Sequence, residues 1–279
     1  MSKLTYLILF VFLSTIELFP CNAQDSYYDA RWNKITQKDS ATYLREVVKD
    51  GDQFKVTEYY LPSKAIYSTG RYLDKKLKKK VGKFEHYFEN GNLKKMAFYN
   101  NEGKLEGNLK SYYFDKTLDA DENYSKGQLH GDCKWYHKNG QLASKEVYDN
   151  GKITQIEFWD ENGKQFYAKF GDEYVAPEFG GQPNGAQRFL YSKIKFPEAA
   201  RYLSESGRTL LNFTIEEDGS VGNVTVELSA DAILDDESLR VARLMPKWKP
   251  GKAHNRIVRT ENVMVEIFYK LMMSNLERY

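Results

Sequence analysis
The sequence predicts an α+β protein, in which an antiparallel sheet of repeated β-hairpins precedes a small carboxy-terminal domain with two helices on a three-stranded antiparallel sheet. Aromatic strands and Gly turns recur at a fixed interval through the middle of the chain. The last third alternates apolar and polar residues with the period of half-buried strands, around an Asp-Gly turn and a helical stretch ended by Pro.

Taken in order, the amino terminus has Lys3 before an apolar run from Leu4 to Phe19, and Cys21-Asn22-Ala23 puts small residues at −3 and −1 of a cleavage site before Gln24. A signal peptide over 1–23 is predicted, with Glu17 disfavouring its retention as a membrane anchor. This places the mature chain in the periplasm or cell envelope rather than at the inner membrane. Cleavage leaves Cys133 as a lone cysteine, so no internal disulfide is expected.

Residues 24–54 form an amino-terminal segment, and 55–165 carry the repeats. Tyr87-Phe88-Glu89-Asn90-Gly91 aligns with Tyr112-Tyr113-Phe114-Asp115-Lys116 and with Tyr136-His137-Lys138-Asn139-Gly140, at intervals of 25 and then 24 residues. A second motif, Gly103-Lys104-Leu105-Glu106-Gly107, returns as Gly127-Gln128-Leu129-His130-Gly131. One repeat is one hairpin with too little apolar surface to stand alone, and stacking buries the aromatics continuously. This pattern is similar to the bacterial variant of MORN repeats. The run Lys75-Lys76-Leu77-Lys78-Lys79-Lys80 reads as a solvated loop between repeats.

After a linker over 166–176, the domain at 177–279 begins. Pro197 opens a short helix reaching about Leu203. Thr209 to Ile215 alternates with Leu211, Phe213 and Ile215 inward; Asp218-Gly219 turns the chain, and Val224, Val226 and Leu228 continue the pattern. Asp235 is positioned to cap a second helix, whose apolar set is Leu234, Val241, Ala242 and Met245 and which stops before Pro246. Val263 to Tyr269 alternates again as the third strand.

Phe196-Pro197-Glu198, Asp218-Gly219 and Met245-Pro246-Lys247-Trp248-Lys249-Pro250-Gly251, with the stretch from Pro177 onward, resemble the C-terminal domain of the TonB energy-transducer family. That resemblance implies a binding module which adds a short extended segment from the amino terminus of an outer-membrane transporter to an exposed sheet edge. The carried-over edge is Val263, Met264, Val265, Glu266, Ile267, Phe268 and Tyr269, and replacing Val265 by Pro is expected to remove one of its amides. Trp248 either seals a helix against the sheet or meets the partner. Other envelope proteins or a second copy of the chain are the remaining occupants. The chain departs from a full transducer in having 7 prolines, no Pro-rich spacer, and Leu18 where a Ser-x-x-x-His pattern from Ser14 would put His. An interaction protein built around its repeats, without energy transduction, is the alternative.

Composition and motif spacing argue against other classes. The net charge is +2 over 279 residues, with no basic field for nucleic acid. The four histidines lack metal-pair spacing, and no nucleophile stands beside a base, so neither cofactor, metal nor enzymatic activity is expected. Asp119-Ala120-Asp121-Glu122-Asn123 opens like a calcium loop but has Tyr124 where Gly is needed and His130 where Glu is needed, and reads instead as a widened acidic hairpin loop.

Overall fold
The computed structural model describes residues 25–270, so the expected signal peptide lies outside the described residues. The chain divides into two compact units, Met1–Lys104 and Leu105–Tyr279.

The first unit is an antiparallel sheet of β1 (Ser26–Tyr28), β2 (Lys34–Ile35), β3 (Tyr43–Asp50), β4 (Gln53–Tyr60), β5 (Ile66–Tyr72), β6 (Lys80–Tyr87) and β7 (Leu93–Tyr99), ordered β7-β6-β5-β4-β3-β1-β2. Hairpin strands therefore begin at Tyr43, within the stretch expected to be an amino-terminal segment. Trp32 stacks on Tyr43 with ring centroids 4.3 Å apart, and Tyr60 and Tyr67 extend the aromatic cluster. Phe84 lies so close over Gly70 that a Cβ there would meet its ring at 2.3 Å, which explains a glycine in mid-strand. In the lysine run, Asp74 accepts the amides of Lys78 and Lys79, and Lys80 is drawn into β6 with its ammonium over the rings of Phe84 and Tyr99.

The second unit continues the hairpins with β8 (Gly107–Tyr112), β9 (Leu118–Ser125), β10 (Gln128–Leu129), β11 (Gly131–Tyr136), β12 (Leu142–Asp149), β13 (Lys152–Trp159) and β14 (Gln165–Phe166). Their order is β14-β13-β12-β11-β9-β8, with β10 on β9. The Asn-Gly turns share one bonding scheme. Gly140 donates to the His137 carbonyl, His137 to the Gln141 carbonyl, and the Asn139 side chain accepts the Gln141 amide. This is a type I turn followed by a left-handed residue, a favoured three-residue hairpin loop. Where the middle repeat lacks Gly, Lys116 takes the left-handed position at φ 74° and Asp115 replaces Asn, with the same three bonds.

A second periodic contact joins successive hairpins. In the first unit the Tyr60 hydroxyl donates to the Tyr87 carbonyl at 3.0 Å. In the second, Tyr113 donates to the Tyr136 carbonyl at 2.9 Å, and His137 Nε2 to the Trp159 carbonyl at 2.9 Å. Each bond runs from a strand end to the corresponding strand end of the next repeat, fixing the stacking distance. Asp119 to Asn123 lies within strand β9, correcting the expected acidic loop: Asp121 pairs with Lys110, and Glu122 accepts from the Trp135 indole. Cys133 is fully buried on the same sheet, and burial pushes its thiol up to about 11, leaving little nucleophilic thiolate at neutral pH.

Next come β15 (Tyr174–Val175), α1 (Gly185–Lys193), α2 (Glu198–Tyr202), β16 (Gly207–Ile215), β17 (Val221–Leu228), α3 (Ala232–Ala242), β18 (Lys252–Ala253), β19 (Arg256–Ile257) and β20 (Thr260–Tyr269). The main sheet is β17-β16-β20, and β15-β18-β19 is a smaller one. Leu211, Phe213, Ile215, Leu234, Val241, Ala242 and Ile267 form the core as the alternation predicts. α1 was not assigned from sequence, and it enters that core through Ala186 and Leu190. The cap of α3 is Asp231, which accepts the Ile233 amide, instead of Asp235. Asp235 holds the buried Thr209 hydroxyl at 2.8 Å, tying α3 to β16.

Lys116→Gly relieves a left-handed non-glycine residue and is expected to stabilise the protein by about 1 kcal/mol. A rise in the denaturation midpoint with an unchanged slope is the measurement that checks it.

Candidate partner-binding edge
β20 pairs with β16 from Gly207↔Tyr269 to Ile215↔Thr260, and its other border carries no strand among the described residues. Alternation divides the expected site residues into two sets. Val263 and Val265 pack on the core, while Ile267 and Tyr269 are buried in it; the Tyr269 hydroxyl sits 2.8 Å from Ser238 on α3. Met264 and Phe268 are 50% and 55% exposed. Glu266 lies between them and pairs with Arg208 across the sheet at 3.0 Å.

The main-chain groups alternate as well. The Phe268 amide donates to the Tyr191 hydroxyl at 2.9 Å, so it points away from β16. In an antiparallel ladder, residues of the same parity point the same way, which sets the main-chain groups of Met264, Glu266 and Phe268 on the outer border and those of Val263, Val265 and Ile267 toward β16. The expectation that Val265 supplies an edge amide is thereby corrected, since its amide belongs to the internal ladder and that of Met264 to the border. Asn262 takes a left-handed conformation at φ 56° opposite the register shift between Phe213 and Ile215, which ends the regular border toward Thr260.

Trp248 is 8% exposed, with its ring against Phe179 and Phe213. Of its two expected roles it fills the sealing one, and its ring presents no docking surface. Its amide donates to the Gly219 carbonyl at 2.8 Å, and a Cβ on Gly219 would meet the Trp248 carbonyl oxygen at 2.1 Å. The Asp-Gly turn therefore requires glycine for space as well as for its φ of 84°.

The domain is fastened to the repeats of its own unit by the β18–β19 hairpin, whose turn residues His254 and Asn255 both have positive φ. The His254 imidazole lies flat on Trp135, 3.6 Å between centroids, and its Nδ1 donates to Glu146 Oε1 at 2.8 Å. Glu146 is fully buried and also accepts from Ser144 at 2.7 Å and Tyr148 at 2.6 Å. Asn255 donates to the carbonyls of Ala143 and Trp159, and Arg256 pairs with Asp119. Beside this contact a cleft of about 400 Å³ is lined by Tyr113, Lys138, Phe166, Lys252 and Arg256. The sequence reading contains none of these contacts; the local signal is the His254-Asn255 pair, residue types that tolerate positive φ.

Burial acts to raise the Glu146 carboxyl, but hydrogen bonds from His254, Tyr148 and Ser144 outweigh it and hold the group below its ordinary value. A depressed carboxyl contributes stability that is full above the unfolded value near 4.5 and is lost as pH falls through the folded value. Tyr148 is shifted upward by burial first and then by Glu146.

No group of residues suited to a metal ion occurs among the described residues, and none of their helices is long and apolar enough to cross a membrane.

Compared with known proteins, residues 192–271 match the family model described as Gram-negative bacterial TonB protein C-terminal, and residues 80–101 and 129–150 match the MORN repeat variant model. The chain thus carries a TonB C-terminal-like domain after MORN-variant repeats. Among solved structures, it is similar to the solution structure of Helicobacter pylori TonB-CTD (residues 179-285), with 26% identity, a TM-score of 0.27, and coverage of 34% of this chain and 89% of that one. The shorter form (residues 194-285) gives 29% identity, a TM-score of 0.23, and coverage of 30% and 88%. No curated protein matches.

His254→Ala leaves the buried Glu146 carboxylate without its imidazole donor and is expected to cost about 3 kcal/mol in chemical denaturation. Glu146→Gln is expected to flatten the stability profile of the chain between neutral pH and the acid limb below 4.5, whereas an unchanged limb would assign it to other carboxylates.

Proposed function
We propose that this chain is a TonB-like cell-envelope protein that takes up an extended segment of an outer-membrane transporter as an added strand on the border of β20, in energy-coupled transport. The family match over residues 192–271 supports the module. The observation that carries the binding mode is the outward Phe268 amide and Glu266 carbonyl on a strand with a single strand neighbour among the described residues. Backbone pairing gives affinity with little demand on sequence, which suits a module serving several transporters. The exposed Met264 and Phe268 side chains flank the border and offer apolar contact to alternate residues of the incoming segment. The repeat strands of its own unit hold the domain through the His254 hairpin. No step calls for catalysis.

The signal-peptide pattern and the family resemblance support a periplasmic site of action. The alternative, an interaction protein working through its repeats alone, draws on the aromatic cluster around Trp32 and Tyr43.

Titrating the chain from Gln24 onward with peptides copied from transporter amino termini tests the reading. Met264→Pro removes an outward amide and is expected to weaken binding at least about tenfold with the fold retained by circular dichroism. Equal affinity of the two proteins, or no binding by the unaltered chain, would contradict the reading.

A further inference from the structure
Among the described residues no strand lies on the outer border of β20, but that border is not bare. α1 packs beside it and sends two side chains to its main chain: Gln187 Nε2 donates to the Glu266 carbonyl at 3.0 Å, and the Tyr191 hydroxyl accepts the Phe268 amide at 2.9 Å. Gln187 and Tyr191 are four residues apart, so they project from one face of the helix. The next face carries Ala186 and Leu190, which anchor α1 in the core. One side chain supplies a donor and the other an acceptor, and they meet a carbonyl and an amide two residues apart on the strand. A neighbouring strand satisfies the same two groups with its own N–H and C=O.

Resting on the strand-addition reading above, we infer that Gln187 and Tyr191 form a gate that occupies the border of β20 in the free protein, and that an incoming extended polypeptide must displace both to pair along Met264–Phe268. The gate has two physical consequences. It satisfies main-chain groups that would otherwise offer a template for edge-to-edge association with a second copy. It also sets a threshold for partners, because a segment gains at Glu266 and Phe268 only the difference between its own bonds and those it replaces. Displacement is feasible because Tyr191 is 44% exposed, so its ring can swing into solvent without opening the core. With the gate shut, regular pairing is confined to the short stretch between Asn262 and Glu266. The gate therefore selects for segments long enough to compete for the carboxy-terminal half of the strand.

The double variant Gln187→Ala with Tyr191→Phe removes both capping groups while leaving Ala186 and Leu190 in place. Two readouts on the full chain separate the gate from the function it serves. The first needs no partner. Amide hydrogen exchange at Phe268 is expected to accelerate about tenfold or more in the variant, with exchange at Val265 and Ile267 unchanged. Unchanged exchange at Phe268 would overturn the gate whatever the partner. The second is titration with the transporter amino-terminal peptides. The variant is expected to bind about threefold to tenfold tighter than the unaltered chain, and weaker or equal binding would overturn the gate as a barrier to entry. Faster exchange with no peptide bound by either protein would leave the capping contact standing and remove the strand-addition function. Tyr191→Phe alone, which keeps the ring and its packing, is expected to account for the exchange effect and guards against a general loosening of α1.

Discussion
A β-strand has two borders, and every buried main-chain amide and carbonyl must find a partner. In the carboxy-terminal domain this constraint is met on one side of β20 by β16 and on the other by two side chains of a helix. Much of the domain's construction follows from holding that strand in place. Ile267 and Tyr269 fix its inner face in the core, Ser238 bonds the Tyr269 hydroxyl, and Asp235 ties the neighbouring strand to α3 through Thr209. On its outer border the Glu266 carbonyl and the Phe268 amide are held by two side chains of α1. Side-chain partners of this kind can be displaced, which the proposed strand addition requires, and they cover groups that would otherwise favour edge-to-edge association.

The domain is held in turn by a contact of a different kind. Glu146 is a charge without water around it, and such a charge is tolerated only with its hydrogen bonds complete. Two donors come from its own strand and one from His254, so the Glu146 carboxylate has all three once the hairpin is seated. The stacking of the imidazole on Trp135 sets its plane, and Asn255 and Arg256 fix the register on either side. This arrangement docks the domain on the repeat strands of its own unit.

What could be read from the sequence was local. The strands, the Asp-Gly hairpin, the stop before Pro246 and the repeat turns each follow from residues within a few positions of one another, and these elements have the expected form. Lys116 shows how far that logic extends, because the turn keeps its bonding scheme after losing Gly. The helix α1 is weakly marked, with Ala186 and Leu190 spread through polar residues, so its period was not apparent. Asp231 and Asp235 both fit a helix start, and only the spatial position of Thr209 decides between them. The hairpin contact and the gate depend on pairs such as His254 with Glu146, 108 residues apart, and Tyr191 with Phe268, 77 apart. No periodicity carries that information. Trp248, ambiguous in sequence, belongs to the core because Phe179 and Phe213 pack against its ring.

In the proposed mode an extended polypeptide zips onto the outer main chain of β20. Residue-resolved amide exchange of the chain, with and without a saturating transporter amino-terminal peptide, tests it most directly. New protection is expected at the Met264 and Glu266 amides, which face outward, with little change at Val263 and Val265. Protection appearing instead along Val221–Leu228 or on the repeat strands, with Met264 unaffected, would contradict it.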